Sequence, residues 1–278
     1  MQSDSMREWR ESASYWEKHA RTIRVMFAPL TRALIEEAGI REGQAVLDVA
    51  GGPGEPALTI AEIVGASGSV MCTDAVGEMV EAAEGEARRR GLTNVKFRQC
   101  EAGRLPFDAD SFDAAVCRFG AMFFPDPSYA LRDMLRVTRP GGVLSFAVWH
   151  RSDLNPYYYV INRVTSRFLE TPPAEPGTPG AFRFAAPGTL AHLFGEAGAA
   201  GVRERLLKFH IEAPVTPSEF WAMRSETSGT LREKLTGLSA DERARVAREV
   251  EESARPFFPH NRMSFPAQVL IVTGKRPT

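Results

Sequence analysis

The sequence predicts an α/β fold in which a mostly parallel sheet has helices on both faces. Between residues 44 and 150, short apolar runs typical of buried strands alternate with amphipathic, helix-like segments. A loop rich in glycine, residues 50–54, directly follows the first apolar run and leads into a helix-like segment. Since parallel strands are joined through crossover helices, this order predicts βαβ units with right-handed connections.

Composition and charge exclude several classes of protein. The 278 residues are 44% hydrophobic and 25% charged, and 34 basic against 35 acidic residues give a formal charge of −1. Such a balance provides no positive field to attract nucleic acid or an anionic membrane. Cys72, Cys100 and Cys117 form no C-x-x-C pair, so neither a disulfide framework nor a thiolate metal site is expected. No stretch is long and apolar enough for a membrane span, so we expect a cytoplasmic protein without one. We also expect a monomer or homodimer.

Residues 1–40 are predicted to form an N-terminal helical arm made of two helices. The first helix has one apolar face, which contains Trp9, Ala13, Trp16, Ala20 and Ile23. The second is predicted to run from Pro29 to Ala38, because proline favours the first turn of a helix and Gly39 is a typical C-terminal stop.

Residues 41–150 contain the regular alternation and are predicted to be the core. Strands are predicted over 44–50, 69–74, 94–100, 112–119 and 141–149. Helices are predicted after the glycine loop, over 76–90, and from Asp126-Pro127, a favourable N-cap and first-turn pair.

After residue 150 the pattern is less regular. Residues 151–187 are predicted to be a cap or linker insertion, because they are rich in proline and glycine. Residues 188–278 are predicted to complete the core with a helix over 188–198, a strand over 202–211 and a final strand over 265–276. Two capping-box patterns, at 216–219 and 239–242, predict two helices within a helical insertion over 213–262.

The glycine loop is compatible with two classes of cofactor. Glycine allows the backbone to approach a ligand closely, because it has no Cβ. Gly52-x-Gly54-x-x-Ala57, followed by Asp74 after the second strand, fits the dinucleotide pattern. By the loop alone three interpretations stay open: another nucleoside cofactor, which the loop favours, a dinucleotide, and a structural turn that binds no ligand.

Three further features favour a nucleoside cofactor other than a nicotinamide dinucleotide. Asp48 lies inside the first strand, where a buried carboxylate needs loop amides or a cationic ligand group as partner. Glu101 and the Ala102 amide follow the third strand, where they could accept from the amine of adenine and donate to its ring. The Tyr-x-x-x-Lys pattern of a hydride-transfer site is absent from the sequence.

Four segments together resemble the class I S-adenosylmethionine-dependent methyltransferases. They are "VLDVAGGPG", Asp74 after the second strand, "EAGRLPFDADSFDAAVCRF" and "LRVTRPGGVLSFAVW". Within that class the chain is most similar to the branch containing the ubiquinone and menaquinone C-methyltransferases. The resemblance covers residues 44–150 and implies a Rossmann-like fold with a seven-stranded, mostly parallel sheet. The sequence departs from the usual G-x-G-x-G loop at Pro53 and has Glu101 where aspartate is more common.

The resemblance implies S-adenosyl-L-methionine as cofactor and assigns roles to residues of the core. The loop would line the methionine part, Asp74 would hold the ribose hydroxyls, Met79 and Glu101-Ala102 would meet the adenine, and Arg118-Phe119 would lie near the sulfonium. The full set of predicted cofactor-binding residues is Asp48, Ala50, Gly51, Gly52, Gly54, Asp74, Ala75, Met79, Glu101, Ala102, Arg118 and Phe119.

The acceptor site is predicted above the sheet's carboxyl edge, beneath the arm and the cap. Its abundance of aromatic residues favours a flat or apolar small molecule. The predicted acceptor-binding residues are Tyr15, Trp16, Phe123, Trp149 and Tyr157. His19 and His150 are candidate general bases, and no catalytic residue is assigned.

The predicted function is transfer of a methyl group to a small aromatic or apolar acceptor, on oxygen, carbon or nitrogen. Two alternatives remain open at this point. One is a non-catalytic, cofactor-binding regulatory module, and the other is a nicotinamide-dependent oxidoreductase.

Overall fold

A computed structural model describes residues 4–169 and 177–278 and contains one seven-stranded sheet. Its strands are β1 (Ala45–Val49), β2 (Ser69–Asp74), β3 (Val95–Gln99), β4 (Phe112–Arg118), β5 (Thr138–Trp149), β6 (Ala200–Ala213) and β7 (Met263–Lys275). Their order in the sheet is β3-β2-β1-β4-β5-β7-β6. β1 to β5 are parallel, whereas β7 runs antiparallel to both β5 and β6. The predicted fold class is confirmed.

Nine helices are found among the described residues. They are α1 (Asp4–Ala38), α2 (Ala57–Val64), α3 (Gly77–Arg89), α4 (Pro127–Val137), α5 (Pro156–Thr165), α6 (Thr189–Glu196), α7 (Pro217–Thr227), α8 (Gly229–Thr236) and α9 (Ala240–Ala254). None of these is long and apolar enough to cross a membrane.

The strand order places the glycine loop at a topological switch point. The chain leaves β1 towards β2 on one side, and later returns to pair β4 on the other side of β1. In open α/β sheets, the crevice outside the carboxyl ends of the strands at such a point binds ligands. The loop after β1 therefore lies where a ligand site is expected.

The arm is one continuous helix, so the prediction of two helices is wrong. Pro29 lies inside α1 and is exposed, and Val25, whose carbonyl loses its helical partner to the proline, is 49% exposed. Water can reach that carbonyl. On the opposite face, Met26, Phe27 and Leu30 are buried against the core. Their burial keeps the helix intact through the proline.

The predicted cap linker contains a helix that the sequence pattern did not reveal. Within the interval 151–187, α5 begins at Pro156. Asn155 fixes its start: the buried side-chain amide donates to the Gln268 carbonyl at 3.1 Å, and its Oδ1 accepts from the Gln268 amide at 2.9 Å. Residues 170–176 of the predicted linker, like residues 1–3 of the arm, lie outside the described residues.

The helical insertion contains three helices where two were predicted. Both capping boxes are formed, with Thr216 and Glu219 starting α7 and Ser239 and Glu242 starting α9. Between them, the Ser228 hydroxyl accepts from the Leu231 amide and starts α8. α8 has only eight residues, too few for a clear helical period in the sequence.

Candidate functional site

The glycine loop follows β1 and is held tightly against β2. The Gly51 amide donates to the Thr73 carbonyl at 2.9 Å. A Cβ at Gly51 would stand 2.6 Å from Cys72 Sγ and 2.9 Å from Asp48 Oδ2, so no side chain fits there. Gly52 differs: a Cβ would meet nothing within 4 Å, but φ is +53°, which disfavours a branched residue. The loop thus leaves open space beside Gly52 for a ligand.

Asp48 lies at the base of this loop and is fully buried. Its Oδ2 accepts from the Ala57 amide at the start of α2, at 2.9 Å. Its Oδ1 has no hydrogen-bond partner among the described residues. Burial raises the pKa of Asp48 to about 7, although the Ala57 hydrogen bond and the Arg118 charge act to lower it. The carboxylate therefore retains one oxygen that could face a donor or a cation.

Asp74, at the end of β2, holds the glycine loop in place. Its Oδ2 accepts from the Gly52 amide at 3.0 Å, and its Oδ1 accepts from the Val76 amide at 2.9 Å. Burial raises the pKa of this carboxyl, against the hydrogen bonds from Val76 and Gly52. Because each carboxylate oxygen has two lone-pair sites, both oxygens can still accept from a ligand hydroxyl.

Arg118 connects β4 to the arm and to the loop. Its Nη1 donates to Thr31 Oγ1 at 2.7 Å and its Nη2 donates to the Glu55 carbonyl at 3.1 Å. Burial lowers the pKa of the guanidinium, whereas the charges of Glu55 and Asp48 raise it. Arg118 therefore adds positive charge to the crevice and fixes the positions of α1 and residue 55.

The predicted adenine-binding residues lie along one side of the crevice. Glu101 is exposed and Ala102 half-buried just after β3, and the Ala75 carbonyl accepts from the side chain of Gln99. Met79 is 3% exposed and packs with Val76 against the arm. In this structure the arm covers Met79.

Of the two predicted acceptor residues on the arm, Tyr15 and Trp16, only Trp16 lies beside the aromatic contact between Trp9 and Phe123. Trp9 contacts Phe123, on the turn after β4, with ring centroids 5.0 Å apart, and also contacts Trp16 at 5.9 Å. Trp16 donates its indole N–H to the Thr227 carbonyl at 3.1 Å. Tyr15 instead lies under Arg232, with the guanidinium 5.2 Å from its ring centroid, and so faces the helical insertion.

Trp149 and Tyr157 are packed as core residues, which differs from the exposed pocket lining that the sequence suggested. The two side chains are 2% and 4% exposed. Phe119, with φ of +62°, stacks on Trp149 at 4.5 Å, and Trp149 in turn stacks on Tyr157 at 6.3 Å. The three stacked rings of Phe119, Trp149 and Tyr157 fill the space between the end of β4 and α5.

Neither candidate histidine lies free in the crevice. His19 Nε2 is 2.6 Å from Glu226 Oε2, in the contact between the arm and α7. His150, 9% exposed, has Nδ1 2.8 Å from the Ala185 carbonyl. Since a carbonyl only accepts, Nδ1 must bear the proton, and Nε2 is the basic nitrogen of neutral His150.

Sequence reasoning missed Arg224 on α7. Its guanidinium lies 4.5 Å from the ring centroid of Tyr157 and 4.7 Å from that of Tyr158. The neighbouring residues Phe220 and Met223 predict a buried face for α7, but no local signal in the sequence pairs Arg224 with tyrosines of α5.

Over residues 4–169 and 177–278, no group of three or more His, Cys, Asp or Glu side chains is arranged to hold a metal ion. Cys72, Cys100 and Cys117 are free thiols.

Comparison with known sequences identifies relatives for about half of the chain. Residues 29–161 match the model of the ubiE/COQ5 methyltransferase family. The ubiquinone/menaquinone biosynthesis C-methyltransferase UbiE of Cellvibrio japonicus is 39% identical over 131 residues, which are 46% of this chain and 53% of that protein. The uncharacterized protein Rv1405c of Mycobacterium tuberculosis is 36% identical over 124 residues, 45% of this chain and 44% of that protein. The chain thus spans about half the length of the curated relatives it matches.

Solved structures match nearly the whole chain at low identity. YcgJ from Bacillus subtilis has a TM-score of 0.58 at 22% identity, covering 89% of this chain and 98% of that one. Phosphoethanolamine N-methyltransferase 2 of Haemonchus contortus, in complex with S-adenosyl-L-methionine, has a TM-score of 0.60 at 15% identity, covering 100% and 61%. The [4+2]-cyclase SpnF has a TM-score of 0.54 at 21% identity, covering 90% and 80%. At such identities these structures establish the fold.

Together the comparisons confirm the resemblance to class I S-adenosylmethionine-dependent methyltransferases, and within that class to the ubiquinone and menaquinone C-methyltransferase branch.

Proposed function

We propose that the chain, whose residues 29–161 match the ubiE/COQ5 methyltransferase family, is an S-adenosylmethionine-dependent methyltransferase acting on a small aromatic or apolar acceptor. The observation that supports this most directly is the Asp74 hydrogen bond to Gly52. It places an acidic side chain with free lone pairs beside the open face of the glycine loop, within the family-matched segment. An adenosine cofactor needs both features.

The residues of the crevice fit this cofactor. Asp74 would bind the ribose hydroxyls, the loop from Ala50 to Gly54 would lie along the methionine part, and Glu101 with Ala102 would contact the adenine. Asp48 has an unpartnered buried oxygen below the loop, where its negative charge would favour a cationic group. When bound, S-adenosylmethionine supplies the activated methyl group.

The protein's contribution is to position the acceptor and exclude water. Trp9 and Phe123 close the crevice from the arm side, and Phe119 with Trp149 forms an apolar wall beyond β4. Alignment of an acceptor behind the methyl group can provide about 7–11 kcal/mol in favourable cases. If the acceptor must lose a proton, His150 Nε2 is the candidate base within this part of the fold. His19 contacts Glu226 on α7 and is better placed to hold the arm to the helical insertion.

Two other functions lead to different observations. A nicotinamide-dependent oxidoreductase would bind NADH in the same loop. A non-catalytic module would bind the cofactor and transfer nothing, and the tight packing of Trp149 and Tyr157 is the observation that favours it. Since SpnF shares the fold and is a [4+2]-cyclase, the fold alone does not decide the reaction.

The test is a calorimetric titration of the full chain with S-adenosylmethionine, S-adenosylhomocysteine and NADH, followed by a methyl-transfer screen. We expect both sulfur compounds to bind and NADH not to bind. Incubation with phenols, quinols and aromatic acids should give a product heavier by one methylene, detected by mass spectrometry. Binding of NADH alone would contradict the proposal. Cofactor binding without methylated product across the screen would favour the non-catalytic module.

A further inference from the structure

Arg224 is a cation enclosed by aromatic rings, without a carboxylate partner among the described residues. The hydroxyls of Tyr157 and Tyr158 act on it both through their charge and as hydrogen-bond partners, whereas its Nε is buried with no hydrogen-bond acceptor in the described part of the chain. Arg90, by contrast, donates to the carboxylates of Glu86 and Glu55, at 2.7 and 2.8 Å. Burial of an unpaired charge is costly, so a cation is retained in such a place for a reason.

The two tyrosines satisfy this cation only in part. The faces of their rings attract the guanidinium, and such a contact contributes about 2 kcal/mol or more when desolvated. However, a ring face accepts no hydrogen bond of ordinary strength, and guanidinium has five N–H donors in a planar fork. Neutral tyrosine hydroxyls are weak partners for a cation, because charged acceptors make hydrogen bonds roughly twice as strong. Donor capacity therefore remains available for an anionic ligand.

Arg224 is connected to the cofactor edge of the sheet through three successive side-chain contacts. Phe119, after β4, stacks on Trp149 at 4.5 Å. Trp149, at the end of β5, contacts the ring of Tyr158 at 5.0 Å, and Tyr158 contacts Arg224 at 4.7 Å. Tyr158 and Arg224 are both half-buried, so their outer surfaces can be reached. These contacts link the cation, on α7, to the carboxyl end of β4.

We propose that Arg224 binds a carboxylate on the methyl acceptor, so that the acceptor is an aromatic acid. This inference rests on the proposed function, because it identifies the substrate class of the same site. The outer surface of Tyr158 would contact the planar body of the acceptor, and the guanidinium would donate two parallel hydrogen bonds to its carboxylate. The acceptor's carboxylate would be held at α7, and the end of its aromatic ring farthest from the carboxylate would point towards the crevice.

The test compares matched acids and esters as ligands of the chain saturated with S-adenosylhomocysteine. The probes are benzoate, 1-naphthoate and 1-hydroxy-2-naphthoate, each beside its methyl ester, titrated by calorimetry with intrinsic tryptophan fluorescence as a second readout. We expect at least one acid to bind about tenfold tighter than its ester, a difference of about 1.4 kcal/mol. Arg224→Met should abolish that preference, and Arg224→Lys should retain part of it.

Arg245→Met is the matched control. Arg245 also lies over an aromatic ring, Phe168, at 5.1 Å, but it pairs with Glu249 outside the crevice. This variant should keep the wild-type preference for acids. Equal binding of acids and esters by the wild type, or binding of none of the six, would overturn the inference, as would a preference that survives in Arg224→Met.

Titration with S-adenosylhomocysteine alone separates this inference from the proposed function. If the wild type fails to bind it, the proposed function is wrong. If it binds but shows no preference between acids and esters, only the role of Arg224 is wrong. In Arg224→Met, cofactor binding within a few-fold of wild type shows that the variant is folded. If that variant is unfolded, the wild-type comparison and Arg224→Lys decide the question.

Discussion

Trp16 donates its indole Nε1–H to the backbone carbonyl of Thr227 at 3.1 Å, and this bond joins the N-terminal helix to α7. Around it lies a contact between the arm and the helical insertion, formed by residues 8–19 of α1 and residues 226–232. The Lys18 ammonium is 2.8 Å from Glu226, and the Thr230 hydroxyl donates to Glu8 at 2.8 Å. On its other side, the arm packs Ala13 against Val76 and Met79. The arm therefore contacts the predicted cofactor side through Val76 and Met79 and the helical insertion through α7 and α8.

Trp16→Phe should weaken the contact between the arm and the helical insertion, because it removes the indole N–H but keeps an aromatic ring at position 16. Loss of one hydrogen bond that leaves a carbonyl unpaired costs about 1–3 kcal/mol. We expect faster amide hydrogen exchange in residues 4–28, measured by mass spectrometry, with slower exchange restored when S-adenosylhomocysteine is added. Methyl transfer should fall more than cofactor affinity if, as we propose, the arm excludes water from the crevice.

Trp221→Phe is the control for this change, since Trp221 lies on the same helix α7 and packs against the core. Its exchange pattern in the arm should equal that of the wild type. An unchanged arm in Trp16→Phe, together with full activity, would show that the arm contributes only packing.

Asp74→Ala should weaken cofactor binding by about 1.5–3 kcal/mol, the range for hydrogen bonds involving a charged group. The substitution removes the proposed ribose contact and also the acceptor of the Gly52 amide. Calorimetry with S-adenosylhomocysteine measures the effect. Asp113→Ala is the control, because Asp113 accepts from the Ala45 amide at 2.7 Å, at the start of β1 and away from the loop. Equal losses of affinity in the two variants would refute the assignment of Asp74.

Asp48→Asn should change how stability depends on pH. In the unfolded chain this carboxyl ionises near its ordinary pKa of 3.8, whereas burial raises the pKa in the folded protein to about 7. Below both values the group is neutral in either state. As pH rises through this window the unfolded state ionises first, so the free energy of unfolding of the wild type falls, at roughly 1 kcal/mol per pH unit. The variant lacks this loss.

Urea unfolding at intervals between pH 4.5 and 8 measures the difference. Asp48→Asn should gain stability over the wild type as pH rises, with the gain levelling off above about 7. Asp153→Asn is the control: its hydrogen bond to Arg151 lowers the pKa of that exposed carboxyl below 3.8, so it is ionised in both states and its difference from wild type should stay constant across this window. A constant difference between Asp48→Asn and wild type would contradict the burial effect.

The core around the loop could be predicted from the sequence because its signals are local. Strand, glycine loop, helix and Asp74 follow one another within about 30 residues, as the pattern for such units requires. The continuity of α1 could not be predicted, because Pro29 normally marks a helix start. Only the burial of Met26, Phe27 and Leu30 in the tertiary structure overrides that preference.

The acceptor side depended on contacts between distant residues. Trp149 and Tyr157 were predicted as pocket lining from their type, but neighbouring rings cover both side chains. Tyr15 was grouped with Trp16, although the adjacent positions of a helix point in different directions and only Trp16 reaches α7. Arg224 meets Tyr158 across 66 positions of sequence, a pairing that only the folded chain creates.

The most direct test of the central claim is the affinity of Gly52→Val for S-adenosylhomocysteine, measured by calorimetry beside Gly91→Val. Both glycines have positive φ, +53° and +67°, and a Cβ at either would meet no protein atom within 4 Å. Both variants should therefore be strained to a similar degree. If the loop holds the cofactor, the valine at 52 enters the ligand's space and binding is lost, whereas Gly91→Val, beyond α3, binds as the wild type does. Normal binding by Gly52→Val would contradict the claim that this loop is the cofactor site.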